Sequence, residues 1–303
     1  MSWMEKYRPK NWEEFVGNEN IKNILKSFTI ENTPNLLFCG KPGVGKTTAV
    51  YIIARQFYGE EYLANVLEIN SSDERGIDTI RTKIKMFCKT LSVDGKKKLL
   101  ILDEADSMTS DSQHALRRVI EKYNNNIIFA FTANYKNKII EPLLSRLKIF
   151  ELKPLTEDDI KTILKKIIDI EKLTISENDL NKISKLSYGD LRKAINMLQG
   201  GIEQVLQEEG SIDIFMENVM QGKVGQAKDE MDKLLQNGSE DLLLDEVFEW
   251  VLRNNGKIPA KIRPSMVIMM AEYEYRLSVS KHPYIQAFSF MIEAIKLFRQ
   301  VSE

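Results

Sequence analysis

One segment of this chain combines the residue types that bind phosphate groups. It reads Gly40-Lys41-Pro42-Gly43-Val44-Gly45-Lys46-Thr47, and Thr48 follows it. Glycines let backbone N–H groups approach phosphate oxygens, a lysine neutralises their charge, and a threonine hydroxyl is a ligand for Mg²⁺. The segment lies between an apolar run ending at Cys39 and a helical pattern through Ala54, and a helix N-terminus also favours an anion. The pattern predicts a site for ATP.

Two acidic residues follow the apolar run Leu99-Leu100-Ile101-Leu102. Asp103 is placed to hold Mg²⁺, and Glu104 is placed to orient or deprotonate the water that attacks the γ-phosphate. The second role distinguishes ATP hydrolysis from ATP binding. The alternative is a surface pair of acids after a strand, which the phosphate-binding segment upstream disfavours. Asp106 is interpreted as a helix cap or a solvated acid.

Three polar residues further along the chain suit roles around the same phosphates. Asn134 follows the apolar run of residues 127–131, so we expect it beside the γ-phosphate, where it would position the lytic water. Arg146 follows a proline-containing helical segment at the far edge of the predicted sheet, which suits an arginine supplied to a neighbouring subunit. Arg192 opens a later helix and is placed to reach the phosphates of its own chain. As isolated residues, both arginines also fit surface ion pairs.

The elements that must position these residues are predicted by hydrophobic patterning. Five short apolar runs alternate with helical patterns, at residues 36–38, 66–69, 99–102, 127–131 and 149–150. Continuous apolar runs of this kind predict buried parallel strands joined by crossover helices. The first part of the chain is therefore expected to be an α/β domain with a parallel sheet.

After Pro154 the pattern becomes entirely helical. Thr156-x-x-Asp159 and Ser176-x-x-Asp179 predict the starts of two helices, and Gly189-Asp190 precedes a third. Gly200-Gly201 and an acidic turn after Gln207 indicate a boundary. We expect an α/β ATPase domain over 1–153, a helical lid over 154–207 and an all-helical collar over 208–303. The apolar residues of the collar fit either a core or a subunit interface.

Composition excludes several classes of protein. The 303 residues include 43 Lys+Arg and 44 Asp+Glu, a net charge of -1, so any contact with nucleic acid must come from a local basic patch. Two cysteines, Cys39 and Cys88, argue against a disulfide framework or a zinc site. No apolar run approaches the roughly 20 residues of a membrane span, and no apolar signal region opens the chain. We expect an intracellular protein without a membrane partner, in the cytoplasm or nucleoid of an archaeal or viral system or in a eukaryotic nucleus.

A set of short motifs, in order along essentially the whole chain, closely resembles the small subunit of replication factor C. The motifs are Glu5-Lys6-Tyr7-Arg8-Pro9, Val16-Gly17-Asn18, the phosphate-binding segment, Asp73-Glu74-Arg75-Gly76-Ile77, Asp103-Glu104-Ala105-Asp106, Ile140-Glu141-Pro142, Ser145-Arg146 and Gly189-Asp190-Leu191-Arg192. The short N-terminus and the stretch Glu272-Tyr273-x-Tyr275-Arg276-Leu277 are similar to archaeal-type members.

The resemblance implies an AAA+ ATPase subunit of a clamp loader. Such a complex is a pentamer of a large subunit and small subunits that uses ATP to open a PCNA-like sliding clamp and load it onto primer-template DNA, in replication and repair. By the same resemblance, Asn134 is the first sensor residue, Arg146 the arginine finger acting on a neighbour, and Arg192 the second sensor. The residues implied to border the adenine are Met4, Tyr7, Arg8, Val16 and Gly17.

The chain departs from the family pattern at two positions. Leu147 follows the finger arginine where members usually have cysteine, which changes the packing that aims Arg146. His114 replaces a glutamine on a predicted helix and is interpreted as a surface or partner contact.

A local basic stripe is the candidate DNA-binding element. Arg81 and Lys85 lie four residues apart on the outer face of a helix that begins near Gly76, with Lys83 between them and Arg75 ahead. Taken alone, the stripe fits a solvated amphipathic face. The resemblance implies that this helix lies against the DNA backbone, where contacts to phosphate ignore base sequence and weaken with salt.

Other functions remain open on the sequence alone. Another AAA+ motor, such as a Holliday-junction helicase, would share the ATP site but translocate along DNA. A regulatory subunit that binds ATP without cleaving it would need neither Glu104 nor Arg146. A monomeric P-loop kinase would leave the two helical domains without a role.

Overall fold

The computed structural model describes residues 2–72, 77–90, 95–200, 212–237, 240–254 and 256–302. The chain divides into two compact units, Met1–Gly200 and Gly201–Glu303. The expected division of the first unit at residue 153 stays a prediction, and the expected boundary at residue 207 lies outside the described residues. Among the described helices, none is both long enough and apolar enough to cross a membrane.

A five-stranded parallel sheet forms the centre of the first unit. Its strands are β1 (Leu36–Cys39), β2 (Val66–Asn70), β3 (Lys98–Asp103), β4 (Ile127–Ala133) and β5 (Lys148–Glu151). The strand order is β2-β3-β4-β1-β5, and every neighbouring pair is parallel. The five predicted apolar runs are these strands, so the predicted α/β class is confirmed.

Helices cover both faces of this sheet. They are α2 (Glu19–Lys26), α3 (Lys46–Tyr58), α4 (Ile77–Lys89), α5 (Ser110–Tyr123) and α6 (Glu141–Leu144), whereas α1 (Trp3–Lys6), which precedes them, buries no residue. Successive strand residues point to opposite faces, so Phe38 packs in one core with α3 whereas Leu37 packs in another with α4 and α5. Burial on both faces explains why the strand sequences are continuously apolar.

Three further helices complete the first unit: α7 (Glu157–Glu171), α8 (Glu177–Leu186) and α9 (Leu191–Gly200). Thr156 caps α7 in a capping box, because its hydroxyl accepts the N–H of Asp159 at 3.1 Å while the Asp159 carboxylate accepts the N–H of Thr156 at 3.0 Å. Ser176 caps α8 by accepting the N–H of Asp179. Both predicted helix starts are confirmed.

The second unit is helical throughout its described residues. Its helices are α10 (212–220), α11 (Val224–Asn237), α12 (Glu240–Arg253), α13 (Arg263–Val279) and α14 (Pro283–Ser302). Phe215, Trp250, Tyr273 and Phe290 are among the fully buried residues of one core. Helix α13 also leaves large apolar side chains exposed, with Ile268 and Tyr275 each at 70%. The unit therefore has both a core of its own and an exposed apolar face.

Candidate nucleotide-binding site

The strand order brings the predicted site residues together. Strand β4 lies between β1 and β3, so the phosphate-binding segment, the two acids after β3 and Asn134 after β4 all leave the carboxyl edge of adjacent strands. The predicted residues that line the resulting cleft are Met4, Tyr7, Arg8, Pro42, Gly43, Gly45, Lys46, Thr47, Thr48, Asp103, Glu104, Asn134 and Arg192. These residues come from the α1 segment, the sheet edge and helix α9.

The phosphate-binding segment turns directly into helix α3, which begins at Lys46. Gly43 has a φ of +72°, and a side-chain carbon there would lie 1.7 Å from an oxygen of Asp190, so only glycine fits beneath the start of α9. The N–H of Leu191 donates to the carbonyl of Gly43 at 3.2 Å. The first amides of α3 have no partner within the helix, so the start of α3 favours a phosphate anion.

Lys46 is held deep in the cleft by three acceptors. Its Nζ donates to the carbonyls of Gly40 and Lys41 and to Asn134 Oδ1, each at 2.8 Å. The side chain is only 9% exposed, and burial lowers the pKa of Lys46, although attraction to Asp103 opposes that shift. Gly40 and Lys41 therefore contact Lys46 without lining the cleft, and Val44 is buried in the core beside them.

The Asp103 carboxylate is oriented by two hydroxyl groups. Thr47 Oγ1 donates to Asp103 Oδ1 at 2.9 Å, and Thr132 Oγ1 donates to the same oxygen at 2.5 Å. Two adjacent hard oxygen donors suit Mg²⁺, which proteins typically bind through one or two side chains together with substrate phosphates. No cluster of three or more acidic, histidine or cysteine side chains suited to a metal occurs in the described ranges.

Glu104 differs from Asp103 in its surroundings. It is exposed, its φ is +52°, and its N–H donates to Thr132 Oγ1 at 3.1 Å. A non-glycine residue in the left-handed region is uncommon and is often found at functional sites. The backbone turn places Glu104 on the wall of the cleft rather than in the sheet.

Asp106 corrects one interpretation made from the sequence. It is neither a helix cap nor a solvated acid, because its Oδ2 accepts the backbone N–H groups of Asn134 and Tyr135 at 3.1 Å each. These bonds tie the loop after β4 to the turn after β3. No local sequence signal predicts such a contact between segments 28 residues apart.

The opposite wall of the cleft comes from the N-terminal segment. Arg8 lies over the ring of Tyr51 with 5.0 Å between the guanidinium carbon and the ring centroid, and the hydroxyl of Tyr51 bonds to the Glu68 carboxylate. Tyr7 donates its hydroxyl to Glu171 Oε1 at 2.6 Å. Neither Tyr51 nor Glu68 was predicted. The available signals were the spacing of Tyr51 one turn after Thr47 and an acid inside the otherwise apolar strand β2.

Val16 and Gly17 do not line the cleft. Gly17 has a φ of +81°, and a side-chain carbon there would lie 2.5 Å from Leu155 Cδ2. Gly17 therefore packs against the segment leading into α7. Further cleft residues absent from the sequence prediction are Pro9, Thr132, Ala133, Leu191 and Ile195.

Arg146 lies outside this cleft. Its guanidinium donates to the carbonyl of Pro142 at 2.7 Å, to Ser145 Oγ at 3.1 Å and to Glu121 Oε1 at 2.5 Å. Leu147 is 9% exposed and packs in the core with α5 and α6, so the departure from the family pattern places an apolar side chain in an apolar environment. Arg146 does not line the cleft of its own chain, and its action on a neighbouring subunit stays a prediction.

The predicted DNA-binding residues are only partly described. Lys83 and Lys85 are exposed on α4, Arg81 belongs to α4 with its side chain outside the description, and Arg75 lies outside the described residues. Beside Lys85, a surface groove is lined by His114, Arg118 and Lys122 of helix α5, together with the acidic Asp111 at the start of that helix. The sequence signal for these three was their spacing of four residues, which places them on one helix face.

Comparison with known proteins identifies related sequences. The model of the family described as "ATPase family associated with various cellular activities (AAA)" matches residues 36–155. The model described as "RCF1/5-like, AAA+ ATPase lid domain" matches residues 162–200.

Curated relatives match almost end to end. The chain is similar to the replication factor C small subunit of Methanococcus vannielii, with 39% identity over 94% of this chain and 95% of the relative. It is also similar to the replication factor C small subunit of Staphylothermus marinus, with 38% identity over 95% of this chain and 93% of the relative.

Solved structures share the fold at lower identity. The RuvB Holliday junction branch migration motor of Thermotoga maritima has a TM-score of 0.53 and 23% identity over 64% of each chain. A variant of the same RuvB has a TM-score of 0.57 and 19% identity over 95% of this chain and 90% of that chain. At these identities the likeness indicates a shared fold.

Proposed function

Because the chain belongs to the family of replication factor C small subunits and is an ATP-hydrolysing clamp-loader subunit, we propose that it uses ATP to open a PCNA-like sliding clamp and place it on primer-template DNA. The observation that supports the proposal most is the convergence of Lys46, Asp103, Glu104 and Asn134 on one cleft. A subunit that only bound ATP would have no use for Glu104 in this position.

The chemistry follows from how each side chain is held. Lys46 neutralises charge on the β- and γ-phosphate oxygens, Glu104 accepts a proton from the attacking water, and Asn134 orients that water. Thr47 and Asp103 would hold Mg²⁺, which supplies positive charge to the phosphate oxygens. Lys41 and Gly40 assist by fixing the Lys46 ammonium through their carbonyls.

The two walls of the cleft bind the rest of the nucleotide. Met4, Tyr7 and Arg8 line the cleft and would border the adenine, whereas Val16 and Gly17 lie outside the lining. Arg192 reaches the phosphates from the start of α9 and makes helix α9 responsive to the nucleotide. Since Tyr7 is also bonded to Glu171 of α7, adenine binding and the position of the helical segment are coupled.

Arg146 acts on the ATP site of a neighbouring subunit. Its side chain is 34% exposed and its guanidinium is bonded to Glu121, so a phosphate of the neighbour would have to compete with that carboxylate. Exposed apolar side chains of α13, such as Ile268 and Tyr275, are suited to contacts with other subunits. We place the chain in a pentamer with a large subunit and further small subunits.

The DNA partner is bound through its backbone. Lys85, Arg118 and Lys122 line one groove, and Lys83 lies on the same helix as Lys85, so the surface joins helices α4 and α5. Arg75 and Arg81 complete the proposed set from the sequence. A chain with a net charge of -1 needs such a concentrated patch to hold phosphate, and the protein would act inside the cell on chromosomal DNA.

A clamp-loading assay tests the proposal. Assembled complex, labelled clamp and nicked circular primed DNA are incubated with ATP, and clamp retained on the circles is separated by gel filtration. Wild type should load clamp only with ATP, and Lys46→Ala should reduce loading to the level without ATP. Lys182→Ala, on the surface of α8, is the matched control and should load normally. Loading that ignores ATP, or ATP-driven migration along DNA without loading, would contradict the proposal.

A further inference from the structure

One buried hydroxyl, that of Thr132, connects the two acidic residues of the site. We propose that Thr132 is a positioning residue for ATP hydrolysis, which sets the orientation of the Asp103 carboxylate and the backbone conformation of Glu104 together. The inference rests on the proposed roles of these two acids. No sequence motif drew attention to Thr132, which lies near the end of an apolar strand.

Thr132 is 1% exposed, so its hydroxyl is shielded from water. The hydroxyl has one proton and two lone pairs. It donates the proton to Asp103 Oδ1 at 2.5 Å and accepts the N–H of Glu104 at 3.1 Å. One hydroxyl therefore satisfies a charged acceptor and a backbone donor at the same time, and its neighbours leave no ambiguity about the direction of either bond.

The bond to Asp103 fixes the metal-facing carboxylate from the strand side. Thr47 Oγ1, at the start of α3, bonds to the same oxygen at 2.9 Å. The carboxylate is thus held between β4 and α3, and rotation about its side chain would break two hydrogen bonds. A carboxylate fixed in this way is preorganised to hold a cation with a single orientation.

The bond to Glu104 supports an unfavourable backbone conformation. Glu104 has a φ of +52°, which costs free energy for a non-glycine residue unless its surroundings hold it. Its carbonyl side is held by Ser107, whose N–H and hydroxyl both donate to it at 2.9 and 2.7 Å. The Glu104 N–H is held by the hydroxyl of Thr132, which belongs to strand β4.

The nearby acid Asp106 does not duplicate this role. It accepts from the backbone of Asn134 and Tyr135, and so fixes the loop that carries the water-orienting residue. Thr132 therefore supports Glu104, the proposed base, whereas Asp106 supports the loop of Asn134, the residue proposed to orient the water.

The test compares three substitutions that separate shape from hydrogen bonding. Thr132→Val keeps the shape and removes both bonds, Thr132→Ser keeps the hydroxyl, and Thr33→Val is the matched control. Thr33 is 6% exposed and bonds through its hydroxyl to the carbonyl of Thr29, outside the cleft. Binding of a fluorescent ATP analogue is measured in EDTA and in Mg²⁺, and kcat and KM are measured on the assembled complex.

We expect Thr132→Val to bind the analogue in EDTA like wild type, because Lys46 and the phosphate-binding segment are unchanged. Its gain in affinity on adding Mg²⁺ should be lost, and kcat should fall by about tenfold or more, since small misplacement of catalytic groups has effects of this size. Thr132→Ser should restore both properties, and Thr33→Val should change neither. If Thr132→Val unfolds below the assay temperature, Thr132→Ala is compared with Thr132→Ser instead, because that pair also differs by the hydroxyl group.

Wild-type kcat and a wild-type response to Mg²⁺ in Thr132→Val would overturn the inference. So would a Ser variant as impaired as the Val variant, because the methyl group rather than the hydroxyl would then matter. Glu104→Gln is assayed in parallel. If that variant hydrolyses ATP normally, the proposed function of the site is itself wrong, whatever the Thr132 variants show.

Discussion

Two charged residues in the cleft differ sharply in their exposure to solvent. Lys46 is 9% exposed and bonded to three oxygens, whereas Glu104 is exposed on the cleft wall. The first arrangement suits a charge that must be present before the nucleotide binds, and the second suits a base that needs access to water. Binding and hydrolysis should therefore be separable by mutation.

At the residue scale we predict different defects for these two positions. Lys46→Ala should weaken ATP binding by at least about tenfold, because it removes charge-assisted contacts to phosphate. Glu104→Gln should keep binding and lose turnover by roughly 10² to 10⁴, the usual contribution of a general base. Equilibrium binding and single-turnover hydrolysis measure the two effects. Glu61→Gln, exposed and outside the cleft, is the control, and equal ATP affinity in Lys46→Ala and wild type would reject the site assignment.

At the scale of elements, the features with local signals were predictable. The five strands are continuously apolar because both faces of the sheet are buried, and the phosphate-binding segment combines glycines with Lys46 and Thr47 in fixed spacing. The starts of α7 and α8 carry capping residues at the predicted positions. Each of these signals acts over fewer than about ten residues, which is the range over which sequence patterns are informative.

The parts of the site that escaped prediction depend on contacts between distant segments. Thr132 and Asp106 act across neighbouring strands, and their roles follow from the position of β4 between β1 and β3. Arg8 meets Tyr51, which is bonded to Glu68, only after the N-terminal segment folds back on the sheet. Neither strand order nor this return of the chain is encoded in a short motif.

The groove on helix α5 gives a prediction about DNA. Arg118→Ala and Lys122→Ala should each weaken binding of the assembled complex to primed DNA. Each should also reduce the slope of log binding constant against log salt concentration by about 1, the value for one lost phosphate contact. Base sequence should have no influence on either effect. Fluorescence anisotropy across a salt series measures both, and Lys165→Ala on α7 is the control. An unchanged salt slope in both groove variants would remove α5 from the DNA interface.

At the scale of the whole molecule, two comparisons carry different weight. The replication factor C small subunits match at 38–39% identity over nearly the full chain. The RuvB structures match at 19–23% identity, which supports a common fold without a common activity. The alternative of a Holliday-junction motor is therefore supported only by architecture, whereas membership of the clamp-loader family is supported by the sequence throughout both compact units.

Assembly is tested through Arg146, which lies outside the cleft of its own chain. Arg146→Ala should leave the nucleotide affinity of the isolated subunit unchanged and should reduce hydrolysis in assembled complexes, because the proposed role of the arginine is to stabilise charge at a neighbour's site. Mixed complexes distinguish the two sites. The ATP site of an Arg146→Ala subunit should hydrolyse ATP when the neighbour that supplies its arginine is wild type. The loss of hydrolysis should appear at the neighbouring site to which the variant subunit supplies its residue 146. Inactivity at the variant's own site instead would show that the arginine acts within its own chain.

The most direct test of the account is the steady-state ATPase rate of the assembled complex, measured alone, with sliding clamp, with primed DNA and with both. The account predicts that clamp and primed DNA together raise the rate well above either one separately, and that Glu104→Gln abolishes the rate in all four conditions. A rate that is indifferent to the clamp, with DNA alone giving full stimulation, would contradict it and would favour a motor that moves along DNA.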